Sequence, residues 1–249
     1  MAEHMTKLKA EYAHLRLTDR IEPGVRVLLI GINPGVMSAL TGHHFAGPTN
    51  RFWRLLYESG IVPEPVTHVD DVRLPQWGIG MTNLVARPSP GIDVLKPAEY
   101  IAGWRILEQK IAKYRPAIVA FVGVTMYRAL WRVLGHTDAP DIKPGFQQAT
   151  VHGARMFVLP NPSGRNANFT YAEMLEAFRS LRRAIRRLPA SAHPRQDRHR
   201  RADVASAESA AAGPGRLSPA AGTAGRRTPS RPAAAPSRTT PHRRGSSRS

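Results

Sequence analysis

The chain has 249 residues, and its 36 Lys and Arg against 18 Asp and Glu give a formal net charge of +18. A balance that basic points to a polyanionic partner, nucleic acid ahead of an anionic membrane, and says nothing about catalysis. The absence of cysteine excludes disulfides, thiol nucleophiles and Cys-held zinc or iron–sulfur clusters. No apolar run approaches the roughly 20 residues a membrane-spanning helix needs.

From the N-terminus, Met1 to Leu15 is polar and lacks the apolar core of a secretion signal, so a cytoplasmic protein (nucleoid-associated if bacterial), not a secreted one, is expected. Val25–Gly31 reads as a buried strand, apolar without alternation. Thr49–Gly60 has helical character, with Phe52, Trp53, Leu55 and Leu56 on one broad face. Trp77–Leu84 reads as a second strand. Pro97–Tyr114 is a predicted helix, because Tyr100, Trp104, Leu107 and Ile111 recur at spacings of 4, 3 and 4. Ile118–Gly123 is a third strand, Thr125–Leu134 a helix and Met156–Leu159 the last strand. A final helix opens at Thr170, which with Glu173 fits a capping box. Its apolar stripe is Tyr171, Met174, Leu175, Phe178, Leu181 and Ile185.

Strands alternating with helices imply right-handed crossovers, hence an α/β fold with a mainly parallel sheet between helical layers. The composition changes near Leu188. From Ala190 to Ser249 there are 12 Arg, 3 acids and no aromatic residue. Such a segment buries too little apolar surface to offset an ordering cost of about 1–2 kcal/mol per residue. The expected division is a folded domain over 1–188 and a disordered basic tail over 189–249. The tail carries +9, half of the total, so the folded part is basic too.

Ligands of parallel sheets bind beyond the carboxyl ends of the strands, so the loops that follow strands are the candidates. Gly31-Ile32-Asn33-Pro34-Gly35 forces a tight turn, lets a ligand approach the backbone and offers the Asn33 amide. The same residues also serve a plain strand-ending turn. It is not a Walker loop, because no Gly-Lys-Ser/Thr follows. In Gly42-His43-His44-Phe45-Ala46-Gly47-Pro48 an exposed aromatic, Phe45, sits among small residues and suits a stacking platform for a planar base. The other reading of Phe45 is a core plug. No spaced carboxylate or third His completes a metal set with His43 and His44, and no metal is expected. Asn83 ends the second strand with an amide able to read a pyrimidine edge or to satisfy a turn. Pro160-Asn161-Pro162-Ser163-Gly164-Arg165 follows the last strand and suits a phosphate clamp with a side chain inserted into a duplex, or a connector.

Together, LLIGINPGVMSALTGHHFAGPTNRFWRLLYESGI, GIGMTNLVARPSPG and LPNPSGRNA resemble the mismatch-specific uracil/thymine DNA glycosylases. The resemblance covers roughly Val25 to Leu188. It implies a uracil-DNA-glycosylase-like fold with a central four-stranded parallel sheet, and hydrolysis of the N-glycosidic bond without a cofactor. The implied partner is duplex DNA with a mismatched or damaged base, bound by a monomer. Carried over by position, Asn33 is the catalytic asparagine and Phe45 the aromatic that stacks on the flipped base. Asn83 faces the pyrimidine edge, and Ser38 lies near its C5 side, a variable position that leaves thymine tolerance open. Ser163 and Gly164 fall in the minor-groove loop, and Arg165 at the wedge position, where bacterial relatives often carry Leu.

That chemistry suits these residue types. Breaking the bond puts positive charge on the sugar and negative charge on the departing base. An amide cannot act as a base near pH 7, but the Asn33 carbonyl can position water. Backbone N–H groups around Ile32 and Phe45 are expected to hold the base oxygens. Two other readings stay open: a glycosylase of the same fold acting on deaminated purines such as hypoxanthine, and a non-catalytic DNA-binding module.

Overall fold

The computed structural model describes Tyr12 and residues 14–136 and 141–189. Residues 190–249 of the basic tail expected over 189–249 lie outside them, as does most of the polar stretch from Met1 to Leu15. Five strands form one sheet: β1 (Val27–Gly31), β2 (Ile79–Asn83), β3 (Ile118–Val122), β4 (Gly145–Val151) and β5 (Ala154–Leu159). The order is β2-β1-β3-β5-β4, with every pair parallel except β4 against β5. Around the sheet lie α1 (Val36–Thr41), α2 (Phe52–Glu58), α3 (Pro97–Tyr114), α4 (Val124–Val133) and α5 (Tyr171–Arg186). A 3₁₀ segment, His68–Trp77, precedes β2.

The two central strands, β1 and β3, are apolar throughout because both faces are covered. Successive side chains of a strand point to opposite faces. Val27, Leu29, Ile118, Ala120 and Phe157 accordingly pack with Phe52, Leu55, Phe178 and Leu181 of α2 and α5. Leu28, Ile30, Val119, Phe121 and Val158 pack with Leu107, Ile111, Met126 and Leu130 of α3 and α4. Each of these side chains other than Ala120 contributes roughly 1.5–3 kcal/mol when fully buried. The α5 capping box forms as its sequence indicates: the Glu173 N–H donates to Thr170 Oγ1 at 3.2 Å, and the Thr170 N–H to Glu173 Oε2 at 2.7 Å.

Two elements differ from expectation. The four parallel strands are present, and an antiparallel edge strand, β4, extends the sheet to five. Its turn is His152-Gly153, with φ of +47° and +82°, the mirror-type geometry that two-residue hairpins require. That strand is polar and half-exposed, hence without an apolar run to mark it. The stretch from Trp77 to Gly78 is also not strand. Trp77 closes the 3₁₀ segment, and Gly78, at φ +72°, terminates it before β2 begins.

Candidate active site

The loops after β1, β2, β3 and β5 converge at one end of the sheet around an open cleft of about 520 Å³. Gly31, Ile32, Asn33, Ser38, His44, Phe45, Asn83, Ser89, Asn161, Ser163 and Arg165 all line it. The parallel ladder continues into these loops, as the N–H groups of Leu84 and Val85 donate to the Gly31 and Ile32 carbonyls, each at 2.8 Å. This ties the loops after β1 and β2 into a rigid floor.

Asn33 is half-buried and fully oriented on one side. Its Nδ2 donates to Ser89 Oγ at 2.7 Å and to the Arg87 carbonyl at 3.0 Å, with a longer contact to the Pro34 carbonyl. The hydroxyl of Ser89, 2% exposed, donates in turn to the Gly91 carbonyl at 2.6 Å. The amide nitrogen is therefore consumed, and among the described residues Oδ1 accepts from none. Arg87 is fastened in turn: Nε and Nη2 donate to the two oxygens of Glu99 on α3 at 2.8 and 2.9 Å. Those bonds from Arg87 hold the Glu99 carboxyl down at about 2.

Gly31 lies under the cleft, in register with Asn83. A Cβ there would come within 2.5 Å of Asn83 Oδ1 and 3.4 Å of the Phe45 ring. Only glycine leaves that floor open, which a closely approaching planar ligand needs. The Asn83 amide has no partner among the described residues.

Phe45 is half-buried, not exposed as its setting among small residues suggested. Its ring stacks on Phe52, centroids 4.0 Å apart and planes 12° off parallel. Core packing and cleft lining therefore coexist in one side chain. The residue sits at φ +52°, a left-handed conformation costing a bulky side chain roughly 1–2 kcal/mol. Ser38 is 5% exposed, and its Oγ accepts the Ala46 N–H at 3.1 Å. The hydroxyl thus has a structural bond besides its place in the cleft.

His43 and His44, considered above as metal ligands, have other partners. His43 Nδ1 meets Asp71 Oδ1 at 3.0 Å, and His44 Nε2 meets the Thr18 carbonyl at 3.1 Å. A carbonyl only accepts, so the His44 proton sits on Nε2. Burial lowers the pKa of this imidazole, opposed by the bond to Thr18.

The loop after β5 is strapped to the Phe45 side of the cleft. The Arg51 N–H donates to the Pro162 carbonyl at 3.0 Å. Gly164 lies so close to Thr49 that a Cβ would stand 2.7 Å from the threonine Cβ. Ser163 Oγ accepts the Arg165 N–H at 3.3 Å. The exposed Arg165 folds its guanidinium across the cleft onto the Pro90 carbonyl at 3.1 Å. Of the candidate residues, all but Gly164, which packs against Thr49, line this one cleft. Sequence reasoning did not single out Ser89 or Asp71. Ser89 lies in a loop at the same sheet end, a usable signal; Asp71 carries none.

A family model, that of the Uracil DNA glycosylase superfamily, matches residues 18–182. Among solved structures, the chain is similar to a solution NMR structure from Methanosarcina acetivorans provisionally assigned as a uracil DNA glycosylase. Identity is 18%, the match covers 68% of this chain and 98% of that one, and the TM-score is 0.45. Among the described residues, no helix is long and apolar enough to cross a membrane.

Proposed function

The chain belongs to the uracil DNA glycosylase superfamily, and on that basis we propose that it excises uracil from G mismatches in duplex DNA by hydrolysis. Thymine and other damaged pyrimidines are included in the proposed substrate class. The observation that carries the reading is the one-sided locking of Asn33. With Nδ2 held by Ser89 and Arg87, Oδ1 is aimed for use and can accept from a water. That amide stands in a cleft lined by a stackable aromatic, Phe45, and by the Asn83 amide, which has no partner among the described residues.

The mechanism follows from these groups. The target nucleotide leaves the stack and its base enters the cleft, at a cost of a few kcal/mol that is lowest at mismatches. Phe45 stacks on the base, Asn83 pairs with its edge, and Ser38 borders its C5 side. Backbone N–H groups near Ile32 and Phe45 receive the negative charge that builds on the base oxygens. The bond from sugar to base breaks with its electron pair going to the base. Water held by Asn33 Oδ1 and a backbone carbonyl adds to the sugar carbon and loses its proton to solvent. No carboxylate base takes part, so the reaction depends on a good leaving group, and normal cytosine is spared. Ser163 and Gly164 contact the backbone through the minor groove, and Arg165 leaves Pro90 to fill the gap in the stack.

The test is a cleavage panel of duplex oligonucleotides bearing uracil, thymine or hypoxanthine opposite guanine. Uracil release leaving an alkali-labile abasic site is the expected result. Preferential release of hypoxanthine would move the protein to the deaminated-purine reading, and no release would leave the non-catalytic DNA-binding one.

A further inference from the structure

The strain at Phe45 is held in place by bonds to the residues beside it. The His44 N–H donates to Asp71 Oδ2 at 2.9 Å, and the His44 carbonyl accepts from Trp53 Nε1 at 3.2 Å. On the other side, the Ala46 N–H is held by Ser38. Asp71 is the hub of this arrangement. Its side chain is fully buried, and its Oδ1 takes both Arg20 Nε and His43 Nδ1 at 3.0 Å. Arg20 also donates to the Gly42 carbonyl at 3.0 Å, so the whole run from Gly42 to His44 is gathered onto one carboxylate. A buried charge costs heavily unless it is paired and fully bonded, and here it is both. Yet Asp71 belongs to the 3₁₀ segment outside the cleft and is not among its lining residues.

We propose that Asp71 is a positioning residue for base excision: by pinning His43 and His44 it holds Phe45 in its left-handed conformation, with the ring at stacking height. Strained backbone persists only where its surroundings over-determine it. The strain here falls on the side chain that both lines the cleft and leans on Phe52. With the clamp released, the backbone at Phe45 relaxes and the ring leaves the base position, while the duplex-binding loops are untouched. The inference rests on the stacking role given to Phe45 above.

A double-mutant cycle on the full chain decides it, using Asp71→Asn, Phe45→Ala and the pair. Three quantities are read: single-turnover excision of uracil opposite guanine, affinity for undamaged duplex, and fluorescence of 2-aminopurine placed beside the uracil, which reports extrusion. Asp71→Asn is expected to slow excision about tenfold, since small misplacements near a reacting centre cost that much or more. It should lower the extrusion signal and leave duplex affinity within about twofold, because phosphate contacts dominate that affinity. The double variant should be no slower than Phe45→Ala alone. Wild-type excision by Asp71→Asn, or losses that multiply in the double variant, would overturn the proposal while leaving the stacking role intact. Wild-type excision by Phe45→Ala would instead overturn the stacking role and the clamp together. Should Asp71→Asn not fold, Arg20→Met, which withdraws one donor from the hub, enters the same cycle with the same two outcomes.

Discussion

Asn33 illustrates how little of a side chain's role lies in its own chemistry. The amide is neither acid nor base near neutral pH, and the role proposed for it rests on having one end tied to Ser89 and Arg87 while the other accepts from none of the described residues. Asn33→Ala should therefore lower single-turnover excision by about 100-fold or more, the scale of a lost positioning group. Affinity for undamaged duplex should barely change, because the assigned role is with the water and not with phosphate. Near-normal excision by that variant would remove Asn33 from the mechanism. Arg165 poses a different question, since its guanidinium rests on the Pro90 carbonyl, a contact that the proposed wedge role requires it to give up. As a wedge, it contacts the base opposite the gap. Arg165→Ala should then slow excision from U·G roughly tenfold, toward the low end of the ~1–3 kcal/mol a guanidinium–base contact supplies. The loss on U·A should be smaller. Equal losses on both pairs, together with a salt slope reduced by about one unit, would make it a phosphate contact.

At the level of elements, the loop that orients Asn33 is held by α3 in two ways. One is the Arg87–Glu99 pair. The Glu99 carboxyl sits at about 2 in the folded chain, below the ordinary 4.5 or so of an unfolded glutamate. The unfolded state therefore binds the proton first. The stability from this pair is complete above about pH 4.5 and is lost as pH falls toward 2. Because the guanidinium is more than a third exposed, the contribution is at most about 1 kcal/mol. Denaturant midpoints of Glu99→Gln and wild type should differ at pH 6 and converge near pH 2; a gap that stays constant would refute the assignment. The other attachment is Gly103, where α3 crosses the end of β2 so closely that an added Cβ would run into the Leu84 carbonyl. Gly103→Ala should cost roughly 1–3 kcal/mol by overpacking. For a domain of this size that lowers the melting temperature by about 2–4 °C for each kcal/mol. An unchanged melting temperature would show that the helix can move away freely.

For the whole molecule, the charge divides evenly, with +9 in residues 190–249 and +9 before them. Every element described ends by Arg186. A chain ending at Pro189 should fold and excise, yet bind undamaged duplex more weakly and with a flatter salt dependence, because up to nine charges no longer displace counterions. An unfolded product, or an unchanged salt slope, would reject this division of the chain.

The sequence alone determined much, and for identifiable reasons. Short uninterrupted apolar runs such as Val27–Ile30, ended by glycine and too short for a helix, read as strands covered on both faces. The spacing of Tyr100, Trp104, Leu107 and Ile111 can only be satisfied by a helix, and Thr170 with Glu173 states where another begins. Alternating strands and helices then put Asn33, Asn83 and the Ser163–Arg165 loop at one sheet end. What it could not state were β4, whose half-exposed polar residues leave no periodic apolar trace, and the half-burial of Phe45. Nor could it state the roles of Ser89 and Asp71. These depend on partners far away in the chain: Ser89 lies 56 residues from Asn33, and Asp71 lies 51 from Arg20 and 27 from His44. Local periodicity reports which face of an element is dry. Only the folded chain decides which buried polar atoms meet, because each bond must satisfy a donor and an acceptor brought together from different elements.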